Sequence, residues 1–156
     1  MATDSAGTLT ATQEVIAWLR SRGQRPQVVC HILDCTLGDY AAAIRSQPNL
    51  ISALLKQGAL QQQLGRLDAA VDSYMAVIKI NPKLALAYNN LAWLAAERGK
   101  NLEQAEIWSK KAIELNPENA DFRDTLAWVK RAQGDLAGAS ELLERVTAEK
   151  TASAEQ

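Results

Sequence analysis

Residues 81–120 read NPKLALAYNNLAWLAAERGKNLEQAEIWSKKAIELNPENA, and the reading of this stretch decides the fold. It contains two Asn-Pro corners, Asn81-Pro82 and Asn116-Pro117, 35 residues apart. Upstream, Pro48 precedes Pro82 by 34, and Gly65, Gly99 and Gly134 follow one another at 34 and 35. Ala70, Ala105 and Ala139 come five, six and five residues after those glycines. A fixed period of this length marks a chain assembled from one repeated supersecondary unit. The additional residue of the middle copy falls in GKNLEQ, a turn where an insertion is readily tolerated.

Between the markers the apolar residues recur at three and four. Ile51, Leu54, Leu55, Gly58 and Ala59 do so, as do Ala87, Leu91, Leu94 and Ala95. These intervals place them on one face of a helix. A second helix follows in each copy: Leu67, Ala70, Val71, Tyr74, Val77 and Ile78, then Leu102, Ala105, Trp108, Ala112 and Ile113, then Leu136, Ala139, Leu142, Leu143 and Val146. Each turn glycine supplies the left-handed cap that ends a first helix. Each Pro ends a second helix because it has no N–H for the next hydrogen bond. Small residues at Gly58 and Ala70, Ala92 and Ala105, and Ala127 and Ala139 allow the two helices of a unit to cross closely.

The expected architecture is all-α, a right-handed superhelical solenoid of antiparallel helix hairpins with about eight helices. Three full copies span 51–84, 85–119 and 120–148. Residues 10–50 read as a degenerate first repeat and N-terminal cap, because DYAAAIRSQP aligns with DSYMAVIKINP, placing Tyr40 on Tyr74 and Pro48 on Pro82. In that segment a helix from about Thr12 to Arg22 breaks at Gly23–Pro26, and a long second helix runs from about Gln27 to Ser46. Residues 1–9 are expected to be disordered and the polar 149–156 to be a frayed tail.

Composition agrees and removes several function classes. The 156 residues are 47% hydrophobic and 22% charged, within the range of folded globular chains. A chain of this size buries roughly 70% of the surface its unfolded form exposes. Seventeen basic against 18 acidic side chains give a net charge of −1. A general nucleic-acid binder or a binder of anionic membranes needs a basic excess, so neither is expected. No run approaches the ~18 uninterrupted apolar residues of a membrane span. The first residues, MATDSAGTLTATQE, do not form the basic region and apolar run of a signal peptide. The expected location is the cytoplasm, or a soluble domain cut from a larger exported protein.

Catalytic chemistry is poorly supplied. His31 is the sole histidine and lies in the apolar stretch VVCHILDCTL. Cys30, His31, Asp34 and Cys35 would be the candidate metal set. On one helix, however, Cys30 and Cys35 stand about 500° apart, or about 140° after one turn, so they face different ways. No C-x₂-C spacing, phosphate-cradling Gly loop, G-x-S-x-G or H-E-x-x-H occurs. The two cysteines read as core thiols, and Glu141 and Glu144 beside Arg145 as a solvated charge run. The chain is expected to be no enzyme and to carry no cofactor or metal.

The crossing of small residues (Gly58/Ala70 and its two copies), the turn glycine, the large Tyr74 and the closing Asn-Pro together resemble the tetratricopeptide repeat family. In style, AYNNLAWLAAERGKNLEQA looks like bacterial tetratricopeptide modules attached to envelope assembly or polysaccharide export systems. The resemblance implies protein–protein interaction. Members that grip the C-terminal Glu-Glu-Val-Asp of heat-shock chaperones use a clamp of Lys, Asn, Asn, Lys and Arg. Here Asn90 matches, while the other clamp positions hold Leu55, Ala59, Asp121 and Thr125. An acid in place of a clamp cation repels a terminal carboxylate, so a chaperone clamp is not expected.

A stacked array of hairpins forms a concave groove lined by the first helix of each unit. The candidate partner-binding residues on that lining are Lys56 in the first full copy, Asn89, Asn90, Trp93 and Glu97 in the second, and Asp121, Asp124, Trp128 and Arg131 in the third. Trp93 and Trp128 hold equivalent positions one repeat apart, where they would stack as adjacent aromatic walls. Trp combines large apolar area with a donor and is enriched at binding hot spots. Packing of both rings between neighbouring first helices is the other reading. Asn89 and Asn90 could offer an amide pair to an extended peptide backbone. The expected ligand is a protein or peptide partner with apolar side chains for the tryptophans and a basic residue for Asp121, Asp124 or Glu97. The alternative is a self-associating scaffold, a homo-oligomer, since no polar capping helix follows the third copy. Trp108, on a second helix, is expected to pack between repeats.

Overall fold

The computed structural model describes the backbone of residues 26–154 and the side chains of 34–147. Seven helices and no strand occur among the described residues: α1 Pro26–Ser46, α2 Ile51–Gln63, α3 Leu67–Ile80, α4 Ala85–Arg98, α5 Leu102–Leu115, α6 Ala120–Gln133 and α7 Leu136–Ala154. They pair as the hairpins α2/α3, α4/α5 and α6/α7, and α1 packs on α2. Adjacent hairpins join through α3 on α4 and α5 on α6, and the first helices α4 and α6 also touch each other. The result is a right-handed solenoid of hairpins whose first helices share one face.

Each first helix ends in the same way because its sequence ends in the same way. Gly65, Gly99 and Gly134 sit at φ +71°, +61° and +88°, where a side chain is strained. The amide after each glycine then bonds back five residues: Arg66 to the Gln61 carbonyl at 2.8 Å, Lys100 to Ala95 at 3.1 Å and Asp135 to Lys130 at 2.9 Å. These bonds satisfy carbonyls that the end of a helix leaves open. The extra residue of the middle turn is absorbed by Asn101, the sole non-glycine at positive φ among the described residues (55°). Asn is the side chain that tolerates this region best.

The core follows the apolar stripes read from sequence. Ala70, Tyr74, Leu91 and Leu94 form one buried cluster, Leu54, Val77 and Ala87 a second, and Ala92, Ala95, Ala96, Ala105 and Val129 a third. Trp108 is half-buried and packs against the first and third of these, so it joins two repeats as expected. Gly58 meets the ring of Tyr74, and the close crossing there is backbone against aromatic.

Every junction also carries an ionic strap. Arg66 reaches back to Asp34 on α1 at 2.7 Å, Arg98 at the end of α4 reaches Asp68 on α3, and Lys130 near the end of α6 reaches Glu106 on α5 at 3.1 Å. In each case a cation near the end of a first helix meets an acid of the preceding second helix.

Two expectations need adjustment. Cys35 is exposed rather than a core thiol, because the inward face of α1 is set by Leu37, which packs with Tyr40, Leu60 and Leu64. At 100° per residue Cys35 lies about 200° from Leu37, on the opposite side of the helix. The backbone of α7 continues to Ala154 where a frayed tail was expected from 149, since Ala148–Ala154 contains neither Gly nor Pro. The helix expected at Thr12–Arg22, the disordered 1–9 and the side chains of Cys30 and His31 lie outside the described residues.

Candidate functional site

The candidate residues of the third repeat are positioned by α6. Asn119 caps this helix, its Oδ1 accepting from the Asp121 amide at 2.9 Å, and Thr125 Oγ1 donates to the Asp121 carbonyl at 3.1 Å. Phe122, Leu126 and Val129 are buried and fix its roll. That roll leaves Asp121, Trp128 and Arg131 exposed, with Asp124 half-buried. Trp128 keeps 40% of its surface exposed, a large fraction for the largest side chain in the alphabet. The Arg131 guanidinium carbon stands 4.8 Å from the centre of its ring, within cation–π range.

Beside this pair lies an open cavity of about 210 Å³ lined by Ala96, Trp128, Arg131 and Ala132. It falls between the touching first helices α4 and α6. Ala96 and Ala132 were not singled out from sequence, although a signal was present. Ala96 is the repeat equivalent of Arg131, and Ala132 that of Glu97. Each of these positions holds Ala in one copy and a long side chain in the other, and the two alanines that line the seam leave a hole.

Trp93 behaves differently from its equivalent. It is half-buried and packs with Leu55 against the Tyr74–Leu91 cluster. The expected pair of matching aromatic walls is therefore unequal. Among the described helices α6 is the last of the first helices, so Trp128 has such a neighbour on one side only.

Asn90 also serves the core. Tyr74 is almost completely buried, and burial pushes its phenol up to about 12, with the neighbouring Asn90 amide pulling the other way. The Asn89 side-chain oxygen is buried and has no hydrogen-bond donor. Such an orphaned acceptor costs roughly 1–3 kcal/mol until a donor reaches it. Lys56 is half-buried on α2, and Glu97 is exposed at the end of α4. No group of three or more His, Cys, Asp or Glu side chains able to hold a metal ion occurs among the described residues. No described helix is long and apolar enough to cross a membrane.

This geometry defines a class, a helical-repeat binding scaffold with an aromatic-lined face. Models of the tetratricopeptide repeat family match residues 51–84 and 73–106. A TPR repeat-containing protein of Pseudomonas aeruginosa is 27% identical over 100 residues, which are 64% of this chain and 17% of that protein. The chain thus spans about a sixth of the length of that relative. Among solved structures, a tetratricopeptide repeat protein from Parabacteroides merdae superposes with a TM-score of 0.72 at 19% identity, covering 92% of this chain and 60% of that one. MamA from Desulfovibrio magneticus gives 0.63 at 21% identity, covering 97% and 98%. The repeats matched within 51–106 are tetratricopeptide repeats, and together with the relative and the shared fold they support a tetratricopeptide-repeat module. Repeats of this kind are generally non-catalytic scaffolds, and their fold supports a protein–protein interaction role.

Proposed function

We propose that the chain is a non-enzymatic receptor that takes a peptide segment or partner protein on the concave face formed by its first helices. The observation that carries this is Trp128, exposed on that face beside the cavity between α4 and α6. Asp121, Asp124 and Arg131 flank it on α6, and Lys56, Asn89, Asn90, Trp93 and Glu97 line the rest of the face. The half-buried Trp93 shapes the wall, and the Asn89 oxygen awaits a donor such as a peptide N–H. Recognition by a rigid surface loses little entropy on the receptor side. The test is quantitative capture of partners from source-organism lysate on wild type and on Trp128→Ala of equal helicity. A partner lost with the variant supports the reading, and recovery of the same set at the same yield overturns it.

A specific observation favours a second reading, self-association through the exposed apolar side of α7. Leu136 and Leu143 on α7 are 66% and 48% exposed, whereas the equivalents of Leu136 in the earlier repeats, Leu67 and Leu102, are half-buried and pack against the core. Sedimentation over a range of concentrations distinguishes the two. A mass that rises with concentration and returns to that of one chain in Leu136→Ser/Leu143→Ser supports the scaffold, and a constant monomer mass overturns it.

A further inference from the structure

We propose that the cavity beside Trp128 takes an apolar side chain whose chain neighbour is a carboxylate, the carboxylate seated on Arg131 and a basic residue of the same segment lying toward Asp121. This rests on the concave-face reading and names the chemistry of its ligand.

Three features of the lining define that chemistry. The walls are apolar: two alanine methyls and the exposed indole of Trp128. They suit a branched aliphatic or aromatic side chain and offer an uncharged polar one little. The single charge on the lining is Arg131, stacked on the indole and thus held at the rim. Among the described residues it joins no ion pair, whereas Lys130 beside it is held by Glu106 and Asp135. A guanidinium fixed over a ring presents its N–H fork to a carboxylate with little further ordering.

Two acids of the groove, Asp121 and Glu97, stand away from this place. Asp121 is on the same helix ten residues earlier, about 15 Å along the axis at 1.5 Å per residue. It is exposed and, among the described residues, unpaired, so it marks the opposite pole. Glu97 holds in α4 the position that Ala132 holds in α6. Ala132 lines the cavity toward the preceding repeat, and by equivalence Glu97 turns toward α2. The face of α6 is therefore acidic at its start and basic at its end, with the apolar cavity next to the basic end. An extended segment rises about 3.3 Å per residue, so its basic residue falls four or five positions from its acid.

The probe is a random-peptide phage library selected on the full chain, with parallel selections on Trp128→Ala, Ala132→Phe and Arg131→Glu. Ala132 and Arg131 are exposed, so their variants keep the fold, and Ala132→Phe fills the cavity without removing the indole. The expected peptides are lost on Trp128→Ala and Ala132→Phe and pair a large apolar residue with an adjacent Asp or Glu. On Arg131→Glu the preference turns from acid to Lys or Arg. In fluorescence polarisation a labelled peptide of that pattern weakens about five- to tenfold on Arg131→Glu and recovers when its own acid becomes Lys. Cavity-dependent peptides with no acidic bias, or a bias that Arg131→Glu leaves unchanged, overturn the inference while the groove reading stands. Peptides indifferent to both Trp128→Ala and Ala132→Phe overturn the groove reading itself.

Discussion

The ring of Tyr74 occupies the space that Gly58 leaves open: a Cβ on residue 58 would lie 2.7 Å from its Cε1 and 2.9 Å from its Cζ. Tyr74 is 1% exposed and has nowhere to retreat. Replacing Gly by Ala within a helix ordinarily gains about 0.5–1 kcal/mol. Here overpacking of about 1–3 kcal/mol outweighs that gain. Gly58→Ala should lower the urea midpoint, with a net cost of about 1–2 kcal/mol. In a Tyr74→Leu background the same change should be neutral or stabilising, and a cycle without coupling would contradict the contact.

Glu106 predicts an acid limb in the stability curve. Lys110, Gln133 and Lys130 hold its carboxyl down from 4.5 to about 2. The folded state binds the proton less readily than the unfolded chain. The stabilisation is therefore complete above about pH 4.5 and is lost as pH falls toward 2. The carboxylate is 20% exposed, so solvent screening reduces its worth to about 1 kcal/mol at neutral pH. Glu106→Gln should cost that much at pH 7 and nothing at pH 2, read by denaturation at both values.

Tyr74 predicts the complementary alkaline limb. Its phenol is raised from 10.0 to about 12, mainly by burial, so the stabilisation holds below about pH 10 and is lost as pH rises through about 12. Tyr74→Phe should flatten the decline between those values while leaving the acid limb in place. Parallel alkaline limbs in the two proteins would assign the loss to another group.

The two groove tryptophans should separate in a stability measurement. Trp93→Ala removes a ring packed on the Tyr74 cluster and should cost about 2 kcal/mol, less than a fully buried Trp. Trp128→Ala removes a ring that is 40% exposed and should cost less, about 1 kcal/mol. The expected ranking of thermal midpoints is wild type, then Trp128→Ala, then Trp93→Ala.

Most of the fold was legible because its signals are local. Turn glycines, Asn-Pro corners and three-and-four spacing act within one or two turns, so a period of 34 or 35 betrays them. The first helices were legible as a face for the same reason, and Trp128 was found on it. What escaped was decided across the array. Trp93 and Trp128 are equivalent in register, yet among the described first helices one has neighbours on both sides and the other on one. The cavity depends on Ala96 standing opposite Ala132, a pairing visible only when adjacent copies are laid side by side. The straps from Arg66, Arg98 and Lys130 join residues 24 to 32 apart. Asp34 and Asp68 stand one repeat apart, but their arginines are out of phase by two and the third strap pairs Lys with Glu at other positions, so the repeat alone does not announce the set. Cys35 misled because apolar residues on every side of VVCHILDCTL do not say which side of the helix turns inward.

The uncovered leucines of α7 also set where the molecule comes apart. In an array whose hairpins touch only their neighbours, opening starts at the least covered unit and proceeds inward one unit at a time. With Leu136 and Leu143 bare, the amides of α7 and then α6 exchange with solvent before those of α3 and α4. The exposed indole of Trp128 thus stands on the hairpin that opens first, and whatever closes over α7 also determines how long the surface around it persists.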